Sequence, residues 1–263
     1  YFVSRKKEAV LRGKIEPFPI RFYAAALMTG VSATVFLTVD IILVKHFLPP
    51  VLAGQYILLA LAGKIIYFLG SLPNAFMISF VSRDLGLKRD TKKSFRIIFG
   101  SGLILTFIGF IMIGPFGRIF VPLLFGNKAA SILPHLNEYA AAIAMFTLAN
   151  SIAVYHLAKK QYLFPAVSFI FSVLMAIGIA ANHSAIGDVV NVLFIVSAAL
   201  FGIITILHIS SAELPFVGRL FIDLKDAFFS IPQAIYPSPN KKNILILNWR
   251  DTRHILAGGA ENY

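Results

Sequence analysis

Two charged residues, Asp40 and Lys64, stand inside long apolar runs of the sequence. A charge within a membrane span is costly and by default lines a polar cavity or pathway. Asp40 belongs to the run 20–47 and Lys64 to the run 51–80, and we call the ends at the 48–50 connection the outer ends. At a rise of about 1.5 Å per residue, Asp40 lies about 10 Å from the outer end of its run, and Lys64 lies about 20 Å from the outer end of the second run. One interpretation is a polar cavity in which Lys64 binds an anion and Asp40 is its counter-ion or a cation-coupling group. The other is a structural Asp–Lys pair that locks the two helices together.

Two further polar residues, Glu138 and Asn150, lie on the fourth apolar segment. At a rise of about 1.5 Å per residue, Glu138 is about 6 Å below the outer start of that segment, and Asn150 lies deeper, near the inner half. Glu138 is either a cavity residue or an interfacial carboxylate in water. Together with Asp40 and Lys64, these two residues complete the substrate cavity that the sequence predicts.

Histidine and cysteine usage argues against a metal site. The chain has no cysteine, which excludes disulfides and thiolate ligands. Its six histidines fall on different segments without ligand spacing, so no metal is predicted. His46, His135 and His156 stand near the ends of apolar segments and are predicted to face the lipid headgroups.

The composition is that of a membrane protein. Hydrophobic residues make up 58% of the 263 and charged residues 14%, whereas a soluble domain averages about 45–50% and about 25%. The formal net charge of +12 would suit nucleic acid, but the lysines and arginines cluster in short loops between apolar runs, as in membrane proteins. We therefore predict an all-α polytopic membrane protein that binds no nucleic acid.

The apolar runs predict six transmembrane helices, because each is long enough to cross a hydrocarbon core, which takes about 20 residues. The predicted bounds are roughly 20–47, 51–80, 96–116, 134–157, 162–181 and 188–210. Pro49 and Pro50 suit a turn between the first two, because proline fixes φ and removes a donor. The segment 118–132 contains Pro122 and Gly126, so we expect an interfacial or re-entrant piece there instead of a full span.

The loop charges predict one orientation. Most of the lysines and arginines outside the spans lie in four segments: 1–21, 82–96, 158–161 and 211 onward. The intervening outer segments hold only Arg118 and Lys128. By the positive-inside rule, both ends of the chain are predicted to be cytoplasmic, with the protein in the cytoplasmic membrane. Because the chain begins with Tyr1, we expect it to be a fragment that starts in a cut connection from an earlier span.

The C-terminal part differs in character. Residues 211–240 combine apolar and charged side chains at helical spacing, which predicts either an amphipathic helix on the inner membrane face or a packed linker helix. The last block, 241–263, opens with a strand-like run at 243–247 and ends in a Gly-rich turn at 257–261. A strand that leads into a Gly-rich turn and a helix start suits phosphate oxygens, but a Gly-Gly pair is equally typical of an ordinary turn.

Residues 20–210 resemble the C-terminal half of the flippases for polysaccharides and lipid-linked oligosaccharides, the MOP superfamily that includes O-antigen flippases. The resemblance is carried by VDIILVKHFLPPVLAGQYILLALAGKIIYFL with the basic loop after it, by LLFG at 123–126 and by LANSIAVYHLAKKQ at 148–161. It implies two six-helix lobes facing each other over a central cavity, of which this chain would be the second. The substrate would be a lipid-linked glycan, whose phosphate would meet Lys64.

Residues 241–263 resemble the N-terminus of GT-B glycosyltransferases of the family-4 type. The motif stands as NWRD at 248–251 and AGGAE at 257–261, with Ile255 where proline is usual. The resemblance implies that Gly258, Gly259 and Glu261 face a nucleotide-sugar diphosphate or the acceptor. A nucleotide-sugar donor would be bound only if a longer protein completes this domain, and no other cofactor is expected.

These inferences divide the chain into a cytoplasmic loop, a six-helix flippase lobe, a juxtamembrane linker and the start of a glycosyltransferase domain, at 1–18, 19–210, 211–240 and 241–263. The predicted function is export of lipid-linked glycans by alternating access, with that glycan, membrane lipid and the missing N-terminal lobe as partners. The alternatives are a membrane-anchored glycosyltransferase and a multidrug or ion exporter of the same superfamily. Charges within the spans favour a transporter over a plain anchor, which needs none.

Overall fold

Within residues 20–210, six helical segments of the computed structural model are long and apolar enough to cross a membrane. The structure describes residues 20–210, apart from the side chains of 127–129, and within that range it contains no strand. The helices are α1 (Ile20–Phe47), α2 (Pro50–Ser71), α3 (Asn74–Gly86), α4 (Lys92–Ile113), α5 (Gly117–Phe125), α6 (Leu136–Ala158), α7 (Leu163–Ala181) and α8 (Ile186–Ser210). With α2 and α3 counted as one span, the predicted number of spans is confirmed for this part of the chain.

The helices run up and down, so that the short connections collect at two ends of the bundle. We call the end with the connections 87–91 and 159–162 the basic end, because it carries most of the loop lysines and arginines of the described residues. The connections at 48–49, 114–135 and 182–185 lie at the opposite end. The basic end is the one predicted to be cytoplasmic.

The central helix is α6. It packs against α1, α2, α3, α4, α7 and α8, and 72% of its most apolar stretch is buried, against 28% to 44% in the other spans. Its mean hydropathy, 1.5, is also the lowest of the six. The two facts agree, because a helix surrounded by protein has neighbours that satisfy polar side chains, whereas a lipid-facing helix does not.

One predicted span is two helices. The sequence predicts a single helix over 51–80, but α2 ends at Ser71 and α3 begins at Asn74. Pro73 causes the break, because it has no amide hydrogen to continue the ladder of α2 and its ring crowds the preceding turn. The basic loop predicted at 82–96 is correspondingly shorter, since α3 extends to Gly86 and α4 begins at Lys92.

The segment predicted not to span is short helical structure. α5 has nine residues, fewer than the roughly 20 that a span needs, and two 3₁₀ turns at Gly126–Ser131 and Leu133–His135 follow it. Gly126 adopts a φ of +62°, a conformation that glycine reaches without steric cost. The interfacial or re-entrant position of the segment 118–132 stays a prediction.

Glycines let α2 and α4 approach closely. A Cβ on Gly102 would lie 3.0 Å from the carbonyl oxygen of Gly70, and one on Gly109 would lie 3.3 Å from the Cα of Ile66. Gly102 and Gly109 are seven residues apart and therefore share a helix face. Membrane helices often carry small residues where they cross, because the hydrophobic effect does not drive helices together in lipid and close backbone approach improves their packing.

The cytoplasmic loop predicted at 1–18, the linker at 211–240 and the glycosyltransferase start at 241–263 lie outside the described residues. Their predictions stand as predictions.

Candidate functional site

Asp40 and Lys64 form an ion pair inside the bundle. The Nζ of Lys64 lies 3.0 Å from Oδ1 of Asp40. Asp40 is completely buried and Lys64 is 6% exposed. The sequence predicts different depths for the Cα atoms of Asp40 and Lys64, and their side chains are long enough to meet across that difference.

Two tyrosines complete the coordination of the carboxylate. The hydroxyl of Tyr56 donates to Oδ2 of Asp40 at 3.0 Å, and that of Tyr139 donates to the same oxygen at 3.1 Å. Both tyrosines are fully buried. We call Asp40, Lys64, Tyr56 and Tyr139 the Asp40 network; it joins α1, α2 and α6.

The positions of these side chains follow from the fold. Asp40 and Tyr56 stand at similar distances before and after the Pro49 turn, so the hairpin places them at similar depth. Lys64 lies two turns further along α2, but helical side chains lean toward the helix N-terminus, and this direction brings its ammonium back toward Asp40.

Gly63 makes room for the third helix. A Cβ at this position would overlap the ring of Tyr139. The ring therefore lies directly against the α2 backbone, and its hydroxyl reaches Asp40. The neighbouring residues Gly63 and Lys64 thus serve one site, the first by lacking a side chain and the second by supplying a charge.

The network satisfies two charges that would otherwise be very costly. Removing a carboxylate and an ammonium from water costs several kcal/mol per ion, and close pairing with further hydrogen bonds offsets it. Asp40 receives one charged and two neutral donors, each within 3.1 Å. The arrangement can hold Lys64 in place, release it to another anion, or let the carboxylate accept a proton or cation.

The other two predicted cavity residues do not join this network. Glu138 is exposed in the first turn of α6, although it adjoins Tyr139 in sequence. Asn150 is buried on α6, but it lies eleven residues beyond Tyr139, which is about 16 Å along a helix. The structure thus brings together two of the four residues, and the role of all four in a substrate cavity stays a prediction.

The prediction that His156 faces the headgroups is wrong. His156 is fully buried; its Nε2 lies 2.8 Å from Nδ1 of His208, and its Nδ1 is hydrogen-bonded to the side chain of Gln161. Because α6 is central, even its last turn is covered by α8 and by the connection to α7. His46 is exposed and His135 half-buried, and for these two the prediction stands.

The metal and nucleotide-sugar predictions concern other parts of the chain. Among residues 20–210, no three His, Asp or Glu side chains lie close enough together to hold a metal ion. The predicted nucleotide-sugar or acceptor residues, Gly258, Gly259 and Glu261, lie outside the described part of the chain.

Tyr56 and Tyr139 are members of the Asp40 network that were not predicted from the sequence. Counting residues from Pro49 would have placed Tyr56 level with Asp40, and Tyr139 also lies near the outer end of its span. Sequence does not give the rotation of α6 about its axis, however, so it could not show that Tyr139 rather than Glu138 turns inward.

No protein-family model, curated protein or solved structure matches this chain.

Proposed function

We propose that this chain is one lobe of a flippase that moves lipid-linked oligosaccharide or polysaccharide precursors across the cytoplasmic membrane by alternating access. The observation that supports the proposal is the Asp40 network inside the membrane-spanning part of the bundle. A hydrophobic cluster at the same place would stabilise an anchor at least as well, because buried ion pairs gain little net stability. Charged groups within spans are typical of transport pathways.

In this proposal the Asp40–Lys64 pair is a lock that opens during transport. Lys64 is the cation to which the phosphate or pyrophosphate of the lipid-linked glycan binds, in place of Asp40. Asp40 retains the two tyrosine hydroxyls and becomes available to a coupling proton or cation. Substrate then favours the open arrangement, since a ligand shifts a conformational equilibrium only through its different affinities for the two states.

The second lobe of the transporter would face this one. Two such lobes rock around a site near the bilayer midplane in many transporters. The N-terminal lobe is the partner that the sequence resemblance implies, and it would supply further cationic groups for the phosphate.

The test uses Lys64 variants of the full-length protein in cells. Lys64→Ala is expected to abolish glycan export while membrane insertion is retained, and Lys64→Arg to keep part of the export, because the positive charge remains. Lys45→Ala is the matched control, since Lys45 is an exposed lysine in the last turn of α1 and outside the Asp40 network. Normal export by an inserted Lys64→Ala protein would refute the transport role of the pair.

A second candidate function rests on the motif at 248–261, which favours a membrane-anchored glycosyltransferase with a nucleotide-sugar donor. Both functions are compatible, because synthesis and export of one glycan are adjacent steps. Deleting everything after Asn240 is expected to spare export if the two parts are independent. Lost export with intact insertion would show coupling, and lost sugar transfer with intact export would assign the enzyme to the deleted part.

A further inference from the structure

A cleft of about 1290 Å³ lies between α3 and α4 at the basic end of the bundle. It is separate from the Asp40 network, which lies toward the opposite end. Pockets for small ligands usually measure about 300–1,000 Å³, so this cleft is large enough for a larger, chain-like molecule. Its apolar wall includes Phe76 and Phe80 of α3 and Ile97 and Ile98 of α4.

Three cations line the same cleft at its basic end. Arg83 lies in the last turn of α3, Lys93 in the first turn of α4, and Arg89 in the connection between them. The side chain of Arg83 is 57% exposed, and its guanidinium lies 4.8 Å from the centre of the Phe80 ring. Arg89 and Lys93 are also exposed.

The two carboxylates of the cleft are engaged by the protein itself. Asp84 is buried, accepts a hydrogen bond from Ser94 and lies 3.5 Å from Arg83. Asp90 accepts a hydrogen bond from the backbone N–H of Lys92 at 3.0 Å. The mouth of the cleft therefore carries three positive charges and two negative ones, and both carboxylates already have partners within the protein. This balance favours the binding of an added negative charge.

The cleft is charged at its basic end and apolar toward the interior of the bundle. Its floor reaches Leu72 and Pro73 at the break between α2 and α3, about 16 Å from Arg83 at a rise of 1.5 Å per residue. A phospholipid has the same order, with a phosphate at the interface and chains below it. We propose that the α3–α4 cleft binds one anionic phospholipid of the surrounding bilayer, with its phosphate between Arg83, Arg89 and Lys93. This site goes beyond the transport function and does not depend on it.

The test compares lipid binding by variants of the full chain, purified in detergent. The probes are phosphatidylglycerol and phosphatidylcholine with the same acyl chains, and the readout is the bound fraction by native mass spectrometry. The main variant combines Arg89→Gln with Lys93→Gln and leaves the Arg83–Asp84 contact intact. A basic residue near an anionic lipid surface is worth about fivefold in affinity, so phosphatidylglycerol binding should weaken by about 20–30-fold and phosphatidylcholine binding should stay the same.

The matched control combines Lys45→Gln with Arg118→Gln, which removes two exposed cations at the opposite end of the bundle. It is expected to leave the binding of both lipids unchanged. Equal loss in the control variant, equal loss for phosphatidylcholine, or no loss in the main variant would overturn the proposal.

Two further outcomes concern other occupants of the cleft. If glycerol phosphate displaces phosphatidylglycerol at matched concentration, the cations bind a headgroup alone and the apolar wall holds no chain. If phosphatidylglycerol binds only after the residues beyond Ser210 are removed, this chain covers its own cleft. Either result would refute the lipid site.

Discussion

Replacing Lys64 by methionine should destabilise the protein strongly, and replacing Asp40 at the same time should restore most of the stability. Lys64→Met keeps the length of the side chain and removes the ion pair of 3.0 Å. The carboxylate of Asp40 then remains fully buried with only the hydroxyls of Tyr56 and Tyr139 as partners. Removing one partner of a buried ion pair in this way costs about 3–5 kcal/mol.

The double variant Asp40→Asn with Lys64→Met carries no charge at the site. Its asparagine oxygen can still accept from Tyr56 and Tyr139, and the new amide NH2 group, which takes the place of Oδ1, is the one neutral polar group left without a partner. An unsatisfied buried polar group costs about 1–3 kcal/mol, which is much less than the sum of the two single substitutions. Tyr139→Phe removes one hydrogen bond to a charged acceptor, for which about 1.5–3 kcal/mol is expected.

The assay is equilibrium unfolding of the purified variants in lipid bicelles, with Lys45→Met as control because that lysine is exposed. The double-mutant cycle isolates the Asp40–Lys64 interaction from the other effects of each substitution. If the two single costs add in the double variant to within about 0.5 kcal/mol, the residues do not interact and the reasoning from the structure is wrong.

Three other predictions follow from the packing and the loop charges. Gly63→Ala should cost about 1–3 kcal/mol by overpacking, since its Cβ overlaps the ring of Tyr139, and an unchanged melting temperature in bicelles would contradict this. His156→Phe should cost about 1–3 kcal/mol, measured in the same way, because it removes the hydrogen bond between His156 and the buried His208. As the chain has no cysteine, Ser82→Cys and Ser184→Cys can be labelled individually in intact cells; an impermeant thiol reagent should reach the second and not the first, and the reverse would overturn the predicted orientation.

Hydropathy was sufficient to predict the spans but not the break in the second one. Runs of apolar residues locate membrane helices because backbone groups in lipid must be bonded internally, and that constraint acts on length and composition. Pro73 lies within such a run and leaves its hydropathy unchanged. Its effect is local and steric, so hydropathy does not reveal it.

The site was predictable only in part, for a related reason. The depth of Asp40 and Lys64 follows from counting residues, and their pairing is one of the two interpretations that depth allows. The rotation of α6 and its central position do not follow from counting. For that reason Tyr139 was missed and His156 was assigned to the headgroups.

A signal for the central helix was nonetheless present in the sequence. The six spans differ in mean hydropathy, and α6 is both the least apolar and the most buried. In a soluble protein the opposite order holds, since the interior is the apolar place. In a membrane bundle the lipid-facing helices need the most apolar surface, so the least apolar span is the one to place at the centre.

The Asp40 network connects three helices through one carboxylate. This allows a distinction between a lock, whose contacts open during transport, and a purely structural contact. Lys64 and Tyr56 both belong to α2, so the α1–α2 contact alone would satisfy the charge; Tyr139 adds α6, the helix that touches every other span. When the ion pair opens, Asp40 keeps the Tyr139 hydroxyl and depends on it more, because Lys64 no longer pairs with the carboxylate. Tyr139→Phe should therefore shift the balance toward the paired arrangement, whereas Lys64→Met should remove the pair that distinguishes the two arrangements. If the network were only structural, export would fall in proportion to the stability lost by each variant. For a lock, Tyr139→Phe would change export more than its stability cost explains, because transport depends on the difference between the two states and not on the stability of either one.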